Sequence, residues 1–211
     1  MRNIDDIGIF YNDAIDDDVK SYILGLILTD GCIRSNGFSK SICISLKDEY
    51  MINMIRNISC PTKKVYKDGN NRQVVWRNIR DIEFLANINV AERKTYTVRL
   101  PTVSDMSALI RGIFDGDGSV FTSVTHDNKF NRLYEYTYVS ITSGSSLFLY
   151  DIQNFLKKID ISSRIVVDQR HKSTSQLRIA RKNDVKRFKN FIYPDETIWK
   201  LERKYNKFKS V

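Results

Sequence analysis

Two short apolar stretches that end alike constrain this chain most: Tyr22-Ile23-Leu24-Gly25-Leu26-Ile27-Leu28-Thr29-Asp30-Gly31 and Leu109-Ile110-Arg111-Gly112-Ile113-Phe114-Asp115-Gly116-Asp117-Gly118. In each, a glycine stands five residues before an aspartate, apolar residues follow it, and a second glycine comes directly after the acid. Both stretches are too apolar for surface loops and too short to cross a bilayer, so they read as buried helices. Gly31 and Gly118 stand where a helix C-cap takes a residue free to adopt positive φ. The acids lie at the negative end of the helix macrodipole, where Lys, Arg or His is expected. Repeated in matched contexts, this points to something positive at both helix ends, and a divalent cation suits carboxylate oxygens.

The surroundings repeat as well. Residues 1–19 form an acidic lead-in, from which Asp16, Asp17 or Asp18 can N-cap the first helix. After the turn Arg34-Ser35-Asn36-Gly37 comes a strand over Ser41–Leu46, a helix over Glu49–Ile58 and a hairpin with arms Lys63–Lys67 and Arg72–Arg77. A helix over Ile79–Ile88 closes the set. The second set runs from Ser119-Val120-Phe121 and a polar loop through Lys129 to a strand over Tyr134–Thr142. A Ser145-capped helix over Ser146–Ile159, a hairpin with arms Arg164–Arg170 and Gln176–Arg181 and a helix over Val185–Ile192 follow. Leu201-Glu202-Arg203-Lys204-Tyr205 echoes Ala91-Glu92-Arg93-Lys94-Thr95.

The predicted fold is α+β: two pseudo-symmetric αββαββα halves, 20–100 and 105–211, with a linker at 101–104. Each half presents an antiparallel sheet. The halves join through the two apolar helices, where Gly25 and Gly112 let backbones approach closely.

The net charge of +9 points to an anionic partner. From Tyr150 to Val211 there are 16 Lys and Arg against 7 Asp and Glu, leaving 18 against 18 in the first 149 residues. The excess thus sits in the C-terminal third, with basic residues on alternating strand positions, a pattern that favours nucleic acid. Cys32, Cys43 and Cys60 are odd in number without CxxC spacing, so they read as reduced apolar residues. His126 and His171 read as solvated loop residues. No stretch has the length of a membrane span, and the start lacks the apolar core of a signal peptide. The expected location is the cytoplasm, or the matrix of an organelle that encodes the protein.

The paired stretches resemble the LAGLIDADG motif of homing endonucleases. Gly25-Leu26-Ile27-Leu28-Thr29-Asp30-Gly31 and Gly112-Ile113-Phe114-Asp115-Gly116-Asp117-Gly118 align with its last seven positions. The second copy matches closely. The first has Leu28-Thr29 where the family name reads Asp-Ala, but keeps the terminal acid and both glycines. The resemblance implies two helices packed side by side, their terminal acids holding metal over the DNA minor groove. It also implies a monomer of the two-motif type that hydrolyses both strands of a long, pseudo-symmetric target.

On this reading Asp30 and Asp117 are catalytic metal ligands, for Mg²⁺ with Mn²⁺ or Ca²⁺ as substitutes. Asp115, whose counterpart is Leu28, reads as a helix-surface or cap acid. Lys94 and Lys204 correspond by the repeat and resemble basic residues that border active sites in this family, where a cation stabilises developing charge. A two-stranded ribbon fits the major groove, where Arg and Gln bond to purine edges. The candidates are Arg34, Lys64, Arg72 and Arg77 in the first half and Arg164, Arg170, Gln176, Arg178 and Arg181 in the second. Tyr134, Tyr136 and Tyr138 share one strand face and are expected under the helices. The rival reading keeps the fold without cleavage, as a DNA-binding regulator or an RNA maturase.

Overall fold

The computed structural model describes residues 6–90, 92, 94–167, 173–194 and 199–208. One order of elements occurs twice. The first run is α1 (Asp17–Thr29), β1 (Gly31–Ser35), β2 (Lys40–Leu46), α2 (Glu49–Ser59), β3 (Tyr66–Asp68), β4 (Asn71–Trp76) and α3 (Ile79–Asn87). The second is α4 (Met106–Asp117), β5 (Gly118–Asp127), β6 (Arg132–Ser143), α5 (Ser146–Lys158), β7 (Arg164–Val167), β8 (Ser175–Ile179) and α6 (Lys182–Ile192), followed by a short α7 (Glu202–Tyr205). The α+β fold with two antiparallel four-stranded sheets is the predicted one. Among the described residues no helix is long and apolar enough to cross a membrane.

Contacts divide the chain into two compact units. One comprises Met1–Lys94, Pro101–Gly116 and Ile198–Leu201; the other comprises Thr95–Leu100, Asp117–Thr197 and Glu202–Val211.

In the first unit the sheet order is β1-β2-β4-β3. Pairing of Ile42 with Trp76 and of Ile44 with Val74 puts these four side chains, with Leu46, on one buried face. Met51, Ile52 and Ile55 of α2 and Leu85 of α3 are buried with them, each worth about 1.5–3 kcal/mol of transfer energy. Asn78 caps α3 by accepting from the Asp81 amide at 3.1 Å. The Asp81 carboxylate is itself buried and accepts from the backbone amides of Ile9 and Phe10 at 2.9–3.0 Å and from the Trp76 indole at 2.9 Å. It thereby pins the lead-in against the end of the sheet.

In the second unit the order is β5-β6-β8-β7. Val139, Ile141, Leu177 and Ile179 form its buried face, matched by Phe148, Leu149, Ile152, Val185 and Phe188 from α5 and α6. Ser145 caps α5 as predicted, accepting from the Phe148 amide at 3.3 Å while donating to the Val98 carbonyl at 2.9 Å.

Three expectations need correction. Gly31 and Gly118 do not take positive φ; each is the first residue of a strand. Gly31 is required for proximity, since a β-carbon there would lie 2.6 Å from the Ile27 Cα. Residues 122–127 are not a loop. They continue β5, which pairs with β6 from Gly118↔Ile141 to Asp127↔Arg132, whereas β1 and β2 pair only from Gly31↔Ile44 to Ser35↔Lys40. The outer part of this ribbon, where Leu133 is 72% exposed, has no apolar face to betray a strand by alternation. Lastly, Tyr134, Tyr136 and Tyr138 do not pack under helices. Strand parity puts them opposite the buried Val139 and Ile141, and Tyr136 is 48% exposed.

Candidate functional site

Within the first unit α1 and α4 pack as a parallel pair. A β-carbon on Gly25 would meet the Leu109 carbonyl oxygen at 2.4 Å, one on Gly112 would meet the Tyr22 carbonyl oxygen at 2.1 Å, and one on Gly116 would meet the Thr29 hydroxyl oxygen at 1.9 Å. Gly25 lies against Gly112, where its β-carbon would be 2.8 Å from the Gly112 Cα, and four residues further along both helices Thr29 lies against Gly116, so the contacts advance in the same direction. Only glycine allows this approach at Gly25 and Gly112. Both helices finish at the same end of the pair.

Asp30 is the C-cap of α1, with φ −82° and ψ 0°, and its amide bonds to the Leu26 carbonyl. Its side chain is exposed, as is that of Asp117, the final residue of α4. Lys94 reaches the same helix end: its Nζ donates to the Gly31 carbonyl at 2.6 Å and to the Thr29 carbonyl at 3.4 Å, one on either side of Asp30. A cation there answers the negative pole of the helix. Lys204, in α7, is only 6% exposed.

Asp115 is not a surface acid. It is completely buried and accepts from the Tyr22 hydroxyl at 2.9 Å and from the Leu201 amide at 2.8 Å. The helix rotation that brings Gly112 and Gly116 against α1 turns Asp115 inward, so its carboxylate ties α1, α4 and the segment at Leu201 together.

The sheet face opposite each core is polar. In the first unit Arg34 Nη1 donates to Gln73 Oε1 at 3.1 Å, and Gln73 Nε2 and Ser45 Oγ donate to Asp68 Oδ2 at 3.3 and 2.8 Å. In the second, Arg178 Nε and Nη2 donate to Gln176 Oε1 at 3.1 and 2.9 Å, and the guanidinium lies 5.5 Å from the centre of the Tyr138 ring. Tyr138 stacks in turn on Phe121 at 5.1 Å and Tyr136 at 6.3 Å. Arg164, opposite Arg178 in register, shares this face.

The remaining basic candidates scatter. Lys64 is exposed just before β3. Arg72 is one residue out of phase with Gln73, so it falls on the helix side and bonds Glu49 of α2 at 3.1 Å. Arg77 follows β4, its amide donating to Asp6 at 2.6 Å. Arg181 is the N-cap residue of α6, and Arg170 lies outside the described residues. Gln73, Ser45 and the tyrosines belong to the polar faces but were not among the candidates. Strand register would have found Gln73, which holds in its sheet the place that Gln176 holds in the other.

Comparison with known proteins bears directly on this arrangement. The LAGLIDADG-like domain family matches residues 104–193. Among solved structures, variants of the homing endonuclease I-DmoI superpose with a TM-score of 0.61 at 18% identity, covering 86% of this chain and 98% of theirs. This chain has the LAGLIDADG fold. The I-LtrWI LAGLIDADG homing endonuclease bound to target DNA superposes with a TM-score of 0.59 at 13% identity, over 84% of each chain. I-SmaMI bound to uncleaved DNA target in the presence of calcium ions does so at 0.56 and 11% identity, over 82% of this chain and 84% of that one. I-SmaMI bound to cleaved DNA gives 0.58 at 10% identity, over 82% of each chain. No curated protein sequence matches the chain. α1 and α4 carry the two stretches that resemble the LAGLIDADG motif, and the departure of Leu28-Thr29 from that motif has a packing reason: Leu28 is buried and Thr29 meets Gly116.

Proposed function

We propose that this protein is a site-specific endonuclease that hydrolyses both strands of a long, pseudo-symmetric DNA duplex across the minor groove, acting as a monomer. The observation that carries the reading is the parallel pair of α1 and α4, whose equivalent last turns each end in an exposed carboxylate, Asp30 and Asp117. The polar faces with Arg34 and Gln73 in one unit and Arg178, Gln176 and Arg164 in the other supply donors for phosphates and purine edges. The likeness to I-LtrWI and I-SmaMI, both bound to DNA, supports the same reading.

A divalent cation fits the donor set. Asp30 and Asp117 offer oxygen alone, which suits Mg²⁺, Mn²⁺ or Ca²⁺. Among the described residues no group of three or more His, Cys, Asp or Glu forms a closed site. Backbone carbonyls, water and the DNA phosphate would complete the coordination. Held there, such an ion would lower the pKa of bound water and stabilise the charge that builds on the phosphate. Lys94 holds the backbone on either side of Asp30 and places a positive charge there, and Lys204 is its counterpart by the repeat.

The test is a selection from randomised DNA duplexes with the purified protein and Mg²⁺. Cleaved molecules should converge on one long target, and Asp30→Asn with Asp117→Asn should abolish cleavage of it while duplex binding persists. Undiminished cleavage by the double variant would overturn the assignment. Tight RNA binding with no duplex cleavage would favour the maturase reading instead.

A further inference from the structure

Where the first unit has a filled groove, the second has, among the described residues, an open cleft at the corresponding place. In the first unit the lead-in runs between the end of α2 and the start of α3. Asp6 pairs with Arg77 through the Asp6 amide and Arg77 carbonyl at 2.8 Å, and its carboxylate also meets Lys63. The Gly8 amide donates to the Ser59 carbonyl at 3.4 Å, and the amides of Ile9 and Phe10 end on the Asp81 carboxylate.

Trp76, Asn78 and Asp81 correspond to Ile179, Arg181 and Asp184, as the paired registers of β4 and β8 and the starts of α3 and α6 show. Asp184 therefore holds the position of Asp81, in the first turn of α6. It is 6% exposed, and its Oδ2 has no hydrogen-bond partner. It lines a cleft of about 670 Å³ together with Lys157, Asp160, Ser163, Arg181 and Arg187. The Ser163 hydroxyl is likewise buried without a partner. The chain that precedes α4 does not fill this cleft. Arg99 and Leu100 bind Asp151 of α5 instead, the arginine at 2.6 and 2.8 Å and the Leu100 amide at 3.2 Å.

A buried carboxylate oxygen without a donor is costly, and the repeat shows what satisfies its counterpart: two successive backbone N–H groups at the turn after Gly8, beside the Trp76 indole whose place Ile179 takes in the second unit. We propose that the cleft between α5 and α6 is a docking groove for an acidic peptide segment of a partner protein that turns there as the lead-in does. Successive amides of that segment bond to Asp184, and its acidic side chain meets Lys157, Arg181 and Arg187. The chemistry is that of the lead-in, in which Asp6 meets Lys63 just before the amides that reach Asp81.

The test uses the full chain and a fluorescein-labelled peptide with the sequence of residues 4–12, read by anisotropy at low salt. Saturable binding is expected, weakened at least tenfold by Asp184→Ala and by Arg187→Glu. The same peptide N-methylated at the positions of Ile9 and Phe10 should bind the unaltered protein at least tenfold more weakly, a comparison that does not depend on how any variant folds. Absent binding, equal binding of the N-methylated peptide, or equal binding by Asp184→Ala would each overturn the proposal. So would displacement of the peptide by a single-stranded RNA oligomer whose own binding is insensitive to Asp184→Ala, which would make the cleft a phosphate site.

Discussion

Gly25 and Gly112 face each other across the helix pair: a β-carbon on Gly25 would lie 2.8 Å from the Gly112 Cα, and one on Gly112 would lie 3.0 Å from the Gly25 Cα. The obstructing atoms are backbone, which cannot rotate aside as a side chain can. Gly112→Ala therefore forces the helices apart along their whole contact. The expected cost is about 3 kcal/mol or more, a fall in Tm of ~6 °C or more. Thermal unfolding followed by circular dichroism checks this, and a shift within ~1 °C would mean that the two backbones do not meet.

Asp115 and Asp117 are two residues apart yet should respond oppositely to amidation. Asp115→Asn weakens the bonds from the Tyr22 hydroxyl and the Leu201 amide in a fully buried place, at an expected cost of about 1–3 kcal/mol. Asp117→Asn changes an exposed residue and should leave Tm within ~1 °C while abolishing cleavage of the selected duplex. Parallel melting and cleavage assays on the two variants separate the roles. Equal losses of stability would contradict the burial difference.

What the sequence disclosed and what it hid follow from how far each signal reaches. The glycines, the terminal acids and Ser145 speak through residue identity at fixed local spacing, so the helix pair, the repeat and the α5 cap were readable. The ribbon of β5 and β6 was not, because an arm solvated on both faces has no alternation to show. Arg72 was misplaced because one residue of register exchanges sheet faces, and the true phase depends on pairing with Leu46 across the sheet. The inward turn of Asp115 depends on which side of α4 meets α1. No property of Asp115 itself announces it.

Arg178 and Arg72 test the sheet faces against each other. Arg178 shares its face with Gln176, Arg164 and the tyrosines, whereas Arg72 is engaged with Glu49 on the helix side. Arg178→Ala should weaken duplex binding by about 1–3 kcal/mol and relax the preference at one base pair of the selected target. Arg72→Ala should leave affinity within about twofold. Titration of both variants against a panel of single-base target changes gives the answer, and equal effects would remove the assignment of faces.

The ion pair of Arg99 with Asp151 gives a pH signature. The guanidinium holds the Asp151 carboxyl below its ordinary range, and the Leu100 amide adds to the effect. Because the folded-state pKa is depressed, this contribution is present above the unfolded carboxylate value of about 3.9 and is lost as pH falls through the lower folded value. Asp151→Asn should therefore lower Tm at neutral pH, with the difference from the unaltered protein shrinking as pH falls through the lowered folded value. A difference that stays constant across this window would show that the pair contributes no charge-dependent stability.

Cys32 offers a chemical footprint of the first unit's polar face. Its register partner Cys43 is buried, and burial, reinforced by Cys32 and opposed by Arg34, pushes the Cys43 thiol up to about 12. Alkylation requires the thiolate, so Cys43 should resist iodoacetamide near pH 8, and buried Cys60 should resist it as well. Cys32 is exposed beside Arg34 and should label first. If this face carries the duplex, adding the selected target with Ca²⁺ in place of Mg²⁺ should slow labelling of Cys32 at least fivefold, while Cys43 and Cys60 stay unlabelled until denaturant is added. Peptide mass spectrometry over a time course reads all three thiols at once. Labelling of Cys32 at an unchanged rate under saturating duplex would place the DNA on another surface.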